Sequence, residues 1–316
     1  MKNAIALLFP GQGSQEAGMG RDLAEADSAA MQLWKRAEAI SGLPLREIFW
    51  EGDDAAMSDT RALQPALTVV NLNLWRALAG RVHPVAAAGH SLGEFAALAA
   101  AGVLDEESVL QIVSLRGRLM AEADPDGRGG MAAILKLSLE QVEGVVREAA
   151  EESDRPLIIA NYNTPGQYVI SGDKEAVALA CGKVRPLKGR AVELKVSGAF
   201  HSPLMEKANR ELEPLLRKAV WRRPRFAVYA NLHGRGLTDG ESLKESLLLQ
   251  MVSSVRWIET VRQQYADGVR CWLELGPKAV LGKMVGQCLD QLDEAARAEL
   301  RVMLVNSCES LENFNI

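Results

Sequence analysis

Residues 84–103, Pro-Val-Ala-Ala-Ala-Gly-His-Ser-Leu-Gly-Glu-Phe-Ala-Ala-Leu-Ala-Ala-Ala-Gly-Val, constrain the fold of this chain more than any other stretch. The apolar run Pro84 to Ala88 reads as a buried strand, Gly89 to Gly93 as a tight turn, and Glu94 to Ala101 as an alanine-rich helix. Strand, Gly-x-Ser-x-Gly turn and helix in that order form the nucleophile-elbow pattern. A strained turn lifts one side chain, here Ser91, clear of the sheet, and a glycine on either side lets neighbouring backbone approach without a Cβ clash. Because the turn opens a helix, the Leu92 amide has no partner within that helix and points where an oxyanion could sit. A Gly-rich connection in a parallel sheet shares the spacing; the flanking strand and the Ala run favour the elbow.

The rest of the chain alternates in the same manner. Ala4 to Phe9 reads as a fully buried strand stopped by Pro10 and followed by Gly11-Gln12-Gly13, either an ordinary connection or a sharp turn at the strand end where open α/β sheets place their sites. Helical patterns follow over Met19 to Ile40, Thr60 to Ala79 and Asp105 to Ala123. After Asp124-Pro-Asp-Gly-Arg-Gly-Gly130 the order changes. Strand Met131–Leu137, helix Ser138–Ala150, strands Leu157–Ala160 and Gln167–Ser171, helix Lys174–Val184 and strand Ala191–Val196 spell βαββαβ, the ferredoxin-like unit. The predicted organisation is therefore a large α/β domain of residues 1–127 and 198–316 with a ferredoxin-like domain inserted at 128–197. Beyond it the reading continues with a helix Leu204–Ala219, a strand Phe226–Ala230, helices Ser242–Gln250 and Trp257–Tyr265, a strand Val269–Leu275, a helix Val280–Leu289, a strand Arg301–Val305 and a polar tail from Asn306.

A serine at its ordinary pKa is a poor nucleophile and needs a base. Of the four histidines, His83 precedes the far end of the elbow strand, His90 leaves the elbow in another direction, and His233 falls in a sequence that reads as a surface turn, Asn231-Leu-His-Gly-Arg-Gly236. His201, in the loop at the second domain crossing, remains the best candidate. Arg116 is the other anomaly, since it falls within the apolar stripe Val109, Ile112, Val113 and Met120. A guanidinium on a buried face needs an anion. Either a carboxylate of the chain such as Glu94 meets it, or it awaits a carboxylate on a substrate.

The formal net charge of −5 argues against a general nucleic-acid or membrane-surface role. It is unevenly spread: between Lys183 and Arg225 twelve Lys/Arg stand against four Asp/Glu, which suggests an anionic partner or a solvated surface. Cys181, Cys271, Cys288 and Cys308 form no Cys-x-x-Cys pair and read as reduced thiols of a cytoplasmic protein. No apolar run is long enough to span a bilayer, the first residues are too short a run for a secretory signal, and no metal-ligand cluster or P-loop is present.

Several segments together resemble one family. Phe9-Pro-Gly-Gln-Gly-Ser-Gln15, Thr60 with Gln64-Pro65-Ala66, Gly89-His-Ser-Leu-Gly-Glu94, Arg116-Gly117, Gly130-Met-Ala-Ala-Ile134, Asn161 to Gly172, Gly198-Ala-Phe-His-Ser-Pro-Leu-Met205, Val255-Arg-Trp257 and Glu274-Leu-Gly-Pro277 are similar, in order, to the malonyl-CoA:acyl-carrier-protein transacylases of bacterial type II fatty acid synthesis. The resemblance implies a hydrolase-like α/β domain with a ferredoxin-like insert, transfer of malonyl from malonyl-CoA to the phosphopantetheine thiol of acyl carrier protein, and no bound cofactor or metal. It implies Ser91 as nucleophile, His201 as base oriented by the Gln250 backbone carbonyl, and oxyanion donors at the Gln12 and Leu92 amides. Arg116 would hold the malonyl carboxylate, and Phe200 resembles the residue that accompanies malonyl rather than methylmalonyl choice. Because carrier proteins are acidic, the basic stretch 183–225 is the expected docking face. Lys278 and Ser254 stand where the family usually has Gly and Pro. A free-standing acyltransferase of a polyketide synthase would share every motif; a serine esterase or thioesterase would share only the elbow, and a non-catalytic carrier-binding subunit would have no need of Ser91 and His201.

Overall fold

In the computed structural model, which describes residues 4–314, ten strands form two sheets. In chain order they are β1 (Ala4–Phe9), β2 (Ala86–Gly89), β3 (Gly129–Leu135), β4 (Leu157–Thr164), β5 (Gln167–Asp173), β6 (Arg190–Glu193), β7 (Ala227–Ala230), β8 (Arg235–Leu237), β9 (Val269–Leu275) and β10 (Arg301–Val305).

The larger sheet has the order β10-β9-β1-β2-β7-β8, with every pair parallel except the terminal β7–β8 hairpin. A central parallel strand is covered on both faces, which is why β1 is apolar throughout. Its residues alternate between two cores: Leu7 and Phe9 face the helices Ser28–Ser41, Thr60–Leu78 and Glu106–Glu122, while Ala6 and Leu8 face Trp257, Trp272 and Val285. Since β1 and β2 run parallel with Phe9 opposite Gly89, the Gly11 and Ser91 turns leave the same carboxyl edge of the sheet side by side. Adjacent turns at that edge are where α/β sheets form ligand crevices.

The smaller sheet, β4-β5-β3-β6, is antiparallel throughout. With the helices Leu139–Ser153 and Lys174–Val184 its strands follow the order βαββαβ. Its two connections to the rest of the chain lie against each other: the Asp124 carboxylate accepts from the amides of Arg128 and Gly129, and a Cβ on Gly129 would be 2.6 Å from the Ala199 nitrogen. A second joint is made by backbone. Val255 N–H donates to Ala160 O (2.8 Å) and Tyr162 N–H to Val255 O (2.9 Å), with the Ser254 hydroxyl donating to Ile159 O. Ser254 thus supplies at this joint a hydrogen bond that proline could not.

Several boundaries differ from those expected. The elbow strand begins at Ala86, not Pro84, because Pro84 has no amide for the ladder and Val85 is half exposed. The helical pattern from Met19 is two helices, Arg21–Ala26 and Ser28–Ser41, broken at Asp27, whose carboxylate caps the second. β4 continues through Asn161 to Thr164, so the hairpin turn is Pro165-Gly166 rather than a six-residue loop. β6 stops at Glu193 and the helix after His201 starts at Glu206. Helices at Leu45–Trp50, Asp54–Ser58, Glu294–Ala298 and Cys308–Glu312 and the strand β8 carry too few residues for a visible period. Among the described residues no helix is long and apolar enough to cross a membrane.

Candidate active site

Ser91 stands between β2 and the helix Gly93–Ala100 with φ 50°, a left-handed conformation that a non-glycine residue holds only when its surroundings impose it. Backbone packing imposes it here. A Cβ on Gly93 would overlap the Phe9 carbonyl oxygen, and one on Gly89 would overlap the Gly93 backbone, so the turn is folded tightly on itself and onto β1. Asn231, at the end of β7, clamps the same turn from the other side. Its side-chain oxygen accepts from the Ser91 amide (2.7 Å) and its amide group donates to Gly89 O (2.6 Å).

The Ser91 hydroxyl lies 2.7 Å from His201 Nε2. His201 also has a positive φ, 58°, and its Nδ1 is 3.0 Å from both Gln250 O and Ser253 O. Two carbonyls can only accept, so Nδ1 carries the proton and Nε2 is the free base facing the Ser91 O–H. Burial, reinforced by the Arg116 charge, pushes the His201 pKa down to about 3, so the imidazole is neutral at physiological pH. His90 is committed elsewhere: its Nε2 is 2.8 Å from Asn163 Oδ1 of the small sheet. His83 and His233 are exposed.

Arg116 is buried against the Phe95 ring. Nη1 donates to Gln64 Oε1 (3.0 Å), and Nη2 to Gln250 Oε1 (3.1 Å) and to Ser91 Oγ (3.3 Å), while the Nε–H has no partner. Burial lowers its pKa to about 10, so it remains a cation. Of the two alternatives open in the sequence, the direct partnership with Glu94 is not formed. Glu94 is reached only through Gln250, whose Nε2 donates both to Glu94 Oε2 and to Ser91 O, each at 2.9 Å. Burial raises the Glu94 pKa to about 7. Every partner of the guanidinium is thus neutral, and two of its N–H groups remain unused.

Leu92 is the residue preceding the first turn of the helix, and its amide has no acceptor among the described residues; nor has that of Gln12. The two loops touch, since a Cβ on Gly11 would collide with His90 O and stand 3.5 Å from Leu92 N. Phe200 is buried beside His201. Lys278 donates to Gln15 O (2.9 Å), tying the loop after β9 to the loop after β1, and Glu274 holds that loop by accepting from the amides of Val280, Leu281 and Gly282.

The basic stretch 183–225 is spread over several elements. Lys183 pairs with Glu148 and Glu152 on the smaller unit, Arg210 and Arg217 pair along their own helix, and Arg222 and Arg225 lie at Gly102 and Asp105, beyond the far end of the helix Gly93–Ala100. Lys195 lines a cavity with Gln15 and Lys278, and also with Glu16 and Asp54. Sequence reasoning missed Gln64 and Asn231 as site residues. Gln64 was visible only as part of a motif, and Asn231 read as part of a surface turn. Among the described residues no group of three or more His, Cys, Asp or Glu side chains could hold a metal ion.

A raised serine, a neutral imidazole on its hydroxyl, two free amides at one edge and a cation without an anion are suited to acyl transfer from a substrate that carries a carboxylate. The comparisons with known proteins agree. Residues 6–311 match the family described as acyl transferase domain. A malonyl CoA-acyl carrier protein transacylase of Bacillus subtilis is 37% identical over 311 residues, 98% of this chain and 95% of the relative. The crystal structure of an acyl carrier protein S-malonyltransferase from Vibrio cholerae superposes with a TM-score of 0.89 at 35% identity, covering 98% of this chain and 99% of that one. A malonyl-transacylase in complex with a type II PKS acyl-carrier protein superposes with a TM-score of 0.90 at 34% identity over 98% of both chains. The chain therefore belongs to the acyl transferase family, in the group of malonyl CoA-acyl carrier protein transacylases.

Proposed function

We propose that this protein moves the malonyl group of malonyl-CoA to the phosphopantetheine thiol of an acyl carrier protein through a malonyl-serine intermediate, supplying fatty acid synthesis. The observation that carries the reading is the contact of Ser91 Oγ with both a neutral His201 and an Arg116 that lacks an anion. His201 Nε2 takes the Ser91 proton as Oγ bonds to the thioester carbon. The amides of Gln12 and Leu92 hold the oxyanion, the carbon–sulfur bond breaks, and the proton leaves on the CoA thiol. In the second half His201 deprotonates the carrier thiol, which attacks the malonyl ester and returns Ser91. The Gln250 carbonyl keeps the imidazole in its productive tautomer. Arg116 pairs with the malonyl carboxylate, leaving acetyl without an equivalent contact. Phe200 crowds an α-methyl group beside that carboxylate.

The same reading extends to architecture and partners. The large unit, 1–127 and 198–316, is a hydrolase-like domain, and 128–197 is a ferredoxin-like insertion. The chain works in the cytoplasm without a bound cofactor. The carrier docks against basic side chains of the stretch 183–225, where twelve Lys/Arg stand against four Asp/Glu. A polyketide carrier is the second reading, favoured by the similarity to a transacylase bound to such a carrier.

The test is intact-protein mass after brief exposure to malonyl-CoA or acetyl-CoA, with Ser91→Ala as control. A malonyl adduct on the unaltered protein only, discharged by holo carrier protein, is expected; equal acetyl labelling would remove Arg116 as selector, and no labelling would end the proposal. Discharge by one carrier and not the other separates the two settings.

A further inference from the structure

The mechanism above uses no buried carboxylate, yet Glu94, three residues after the nucleophile, is almost wholly enclosed. A carboxylate placed there without work to do is an expense few cores carry. Its contacts join three elements. Gln250, the last residue of the helix Gly240–Gln250, donates to Glu94 Oε2 at 2.9 Å, and the Asn231 amide after β7 donates at 3.4 Å to both carboxylate oxygens. Asn231 in turn holds the Ser91 amide, and Gln250 Oε1 accepts from Arg116.

We propose that Glu94 is a positioning residue for substrate choice: by holding the donor end of the Gln250 side-chain amide, it keeps the acceptor end on Arg116 and so aims the guanidinium at Ser91. The inference rests on the acyl-transfer reading given above. An amide side chain has one donor end and one acceptor end, and only its surroundings decide which faces where. At Gln250 the donor end is held by Ser91 O and Glu94 Oε2. Ser91 O already accepts from the Glu94 backbone amide at 3.1 Å, so it is a shared acceptor, whereas Glu94 Oε2 has Gln250 Nε2 as its nearest donor, the Asn231 amide lying farther off at 3.4 Å. Glu94→Gln faces two donors, Gln250 Nε2 and Asn231 N–H, with a single oxygen. The Gln250 amide is then free to turn its NH2 toward Arg116, where two donors meet and the guanidinium is pushed off its line to Ser91.

The experiment compares acylation of Ser91 by malonyl-CoA with acylation by a neutral ester, p-nitrophenyl acetate, in the unaltered protein, Glu94→Gln, Glu94→Asp, Gln250→Met and the double variant Glu94→Gln/Gln250→Met. The neutral ester does not need Arg116 and reports an intact Ser91–His201 pair. Glu94→Gln is expected to raise KM for malonyl-CoA by about tenfold, the scale of coupling between residues in contact, while ester acylation changes by less than about threefold. Glu94→Asp, which keeps both acceptor oxygens, should recover part of the loss. In the Gln250→Met background Glu94→Gln should add no further malonyl loss, because its route to Arg116 is already cut. Equal loss on both substrates, no loss at all, or additive losses in the double variant would each overturn the inference. Should the unaltered protein form no malonyl adduct, the acyl-transfer reading itself falls; should it form one while the cycle is additive, only the role of Glu94 falls.

Discussion

Replacing Arg116 by Met tests the substrate reading at its centre. Within the protein the guanidinium uses three of its five N–H bonds, on Gln64, Gln250 and Ser91, all of them to neutral acceptors. On the proposed reading a malonyl carboxylate takes two of the guanidinium's N–H bonds. Each such bond to a charged group is worth about 1.5–3 kcal/mol, and two together about 3–6 kcal/mol. At 1.36 kcal/mol per factor of ten, the ratio of malonyl to acetyl acylation should fall by about a hundredfold to ten-thousandfold. Stability should move far less. Met removes a buried charge whose desolvation is unfavourable, but it leaves the side-chain oxygens of Gln64 and Gln250 without a donor, and the two effects oppose each other. A Tm shift within about 3 °C is expected, since 1 kcal/mol moves a large domain by only a few degrees. The assay is the initial rate of adduct formation by mass with each thioester, alongside thermal unfolding. An unchanged malonyl-to-acetyl ratio in a folded Arg116→Met protein would refute the assignment of the carboxylate site.

Three further outcomes follow from the same geometry. The His201 pKa lies far below the ordinary imidazole value, so between pH 6.5 and about 3 the native state withholds a proton that the unfolded chain takes up; this contribution to stability is present above pH 6.5 and lost on acidification. For the same reason the acid limb of kcat/KM for acylation by the neutral ester, which does not draw on Glu94 or Arg116, should lie well below pH 6.5, and a limb at about 6.5, the value of a solvated imidazole, would contradict the buried neutral base. Gly93→Ala must displace β1 from the elbow and should destabilise the fold by about 3 kcal/mol through overpacking, read from denaturant unfolding; a variant of unaltered stability would show that the turn is looser than described. Phe200→Ser should raise acylation by methylmalonyl-CoA about tenfold relative to malonyl-CoA, the scale of one methyl group in an apolar pocket, and continued rejection of methylmalonyl would remove Phe200 from substrate choice.

The sequence made the elbow readable because it is local. Strand, turn and helix follow within twenty residues, and β1 and β9 have the bounds that their apolar runs foretell. The order βαββαβ was also legible, each element having its own period or cap. What was hidden came from distance. Glu94 and Arg116 could be suspected as a pair, but only the fold inserts Gln250 between them. Asn231 looked like turn composition until β7 brought it beneath Ser91. The basic stretch was counted as one patch along the chain, while the fold distributes it among the smaller unit, one helix and the far end of another. Charge density along a sequence says nothing about which side chains share a surface.

The His201 ring is held by peptide oxygens rather than by an acid. A peptide oxygen survives every substitution at its own position, so the orientation of the base cannot be erased by exchanging one side chain, only by moving the backbone after the helix Gly240–Gln250. Such an oxygen also carries no formal charge. A carboxylate behind the ring would add a second acidic group, after Glu94, to a pocket that has to admit an anionic acyl group, and would compete for the Arg116 cation. Leaving that place to neutral dipoles gives up some stabilisation of the imidazolium, and in return keeps the pocket's only full charge in direct contact with Ser91 a positive one.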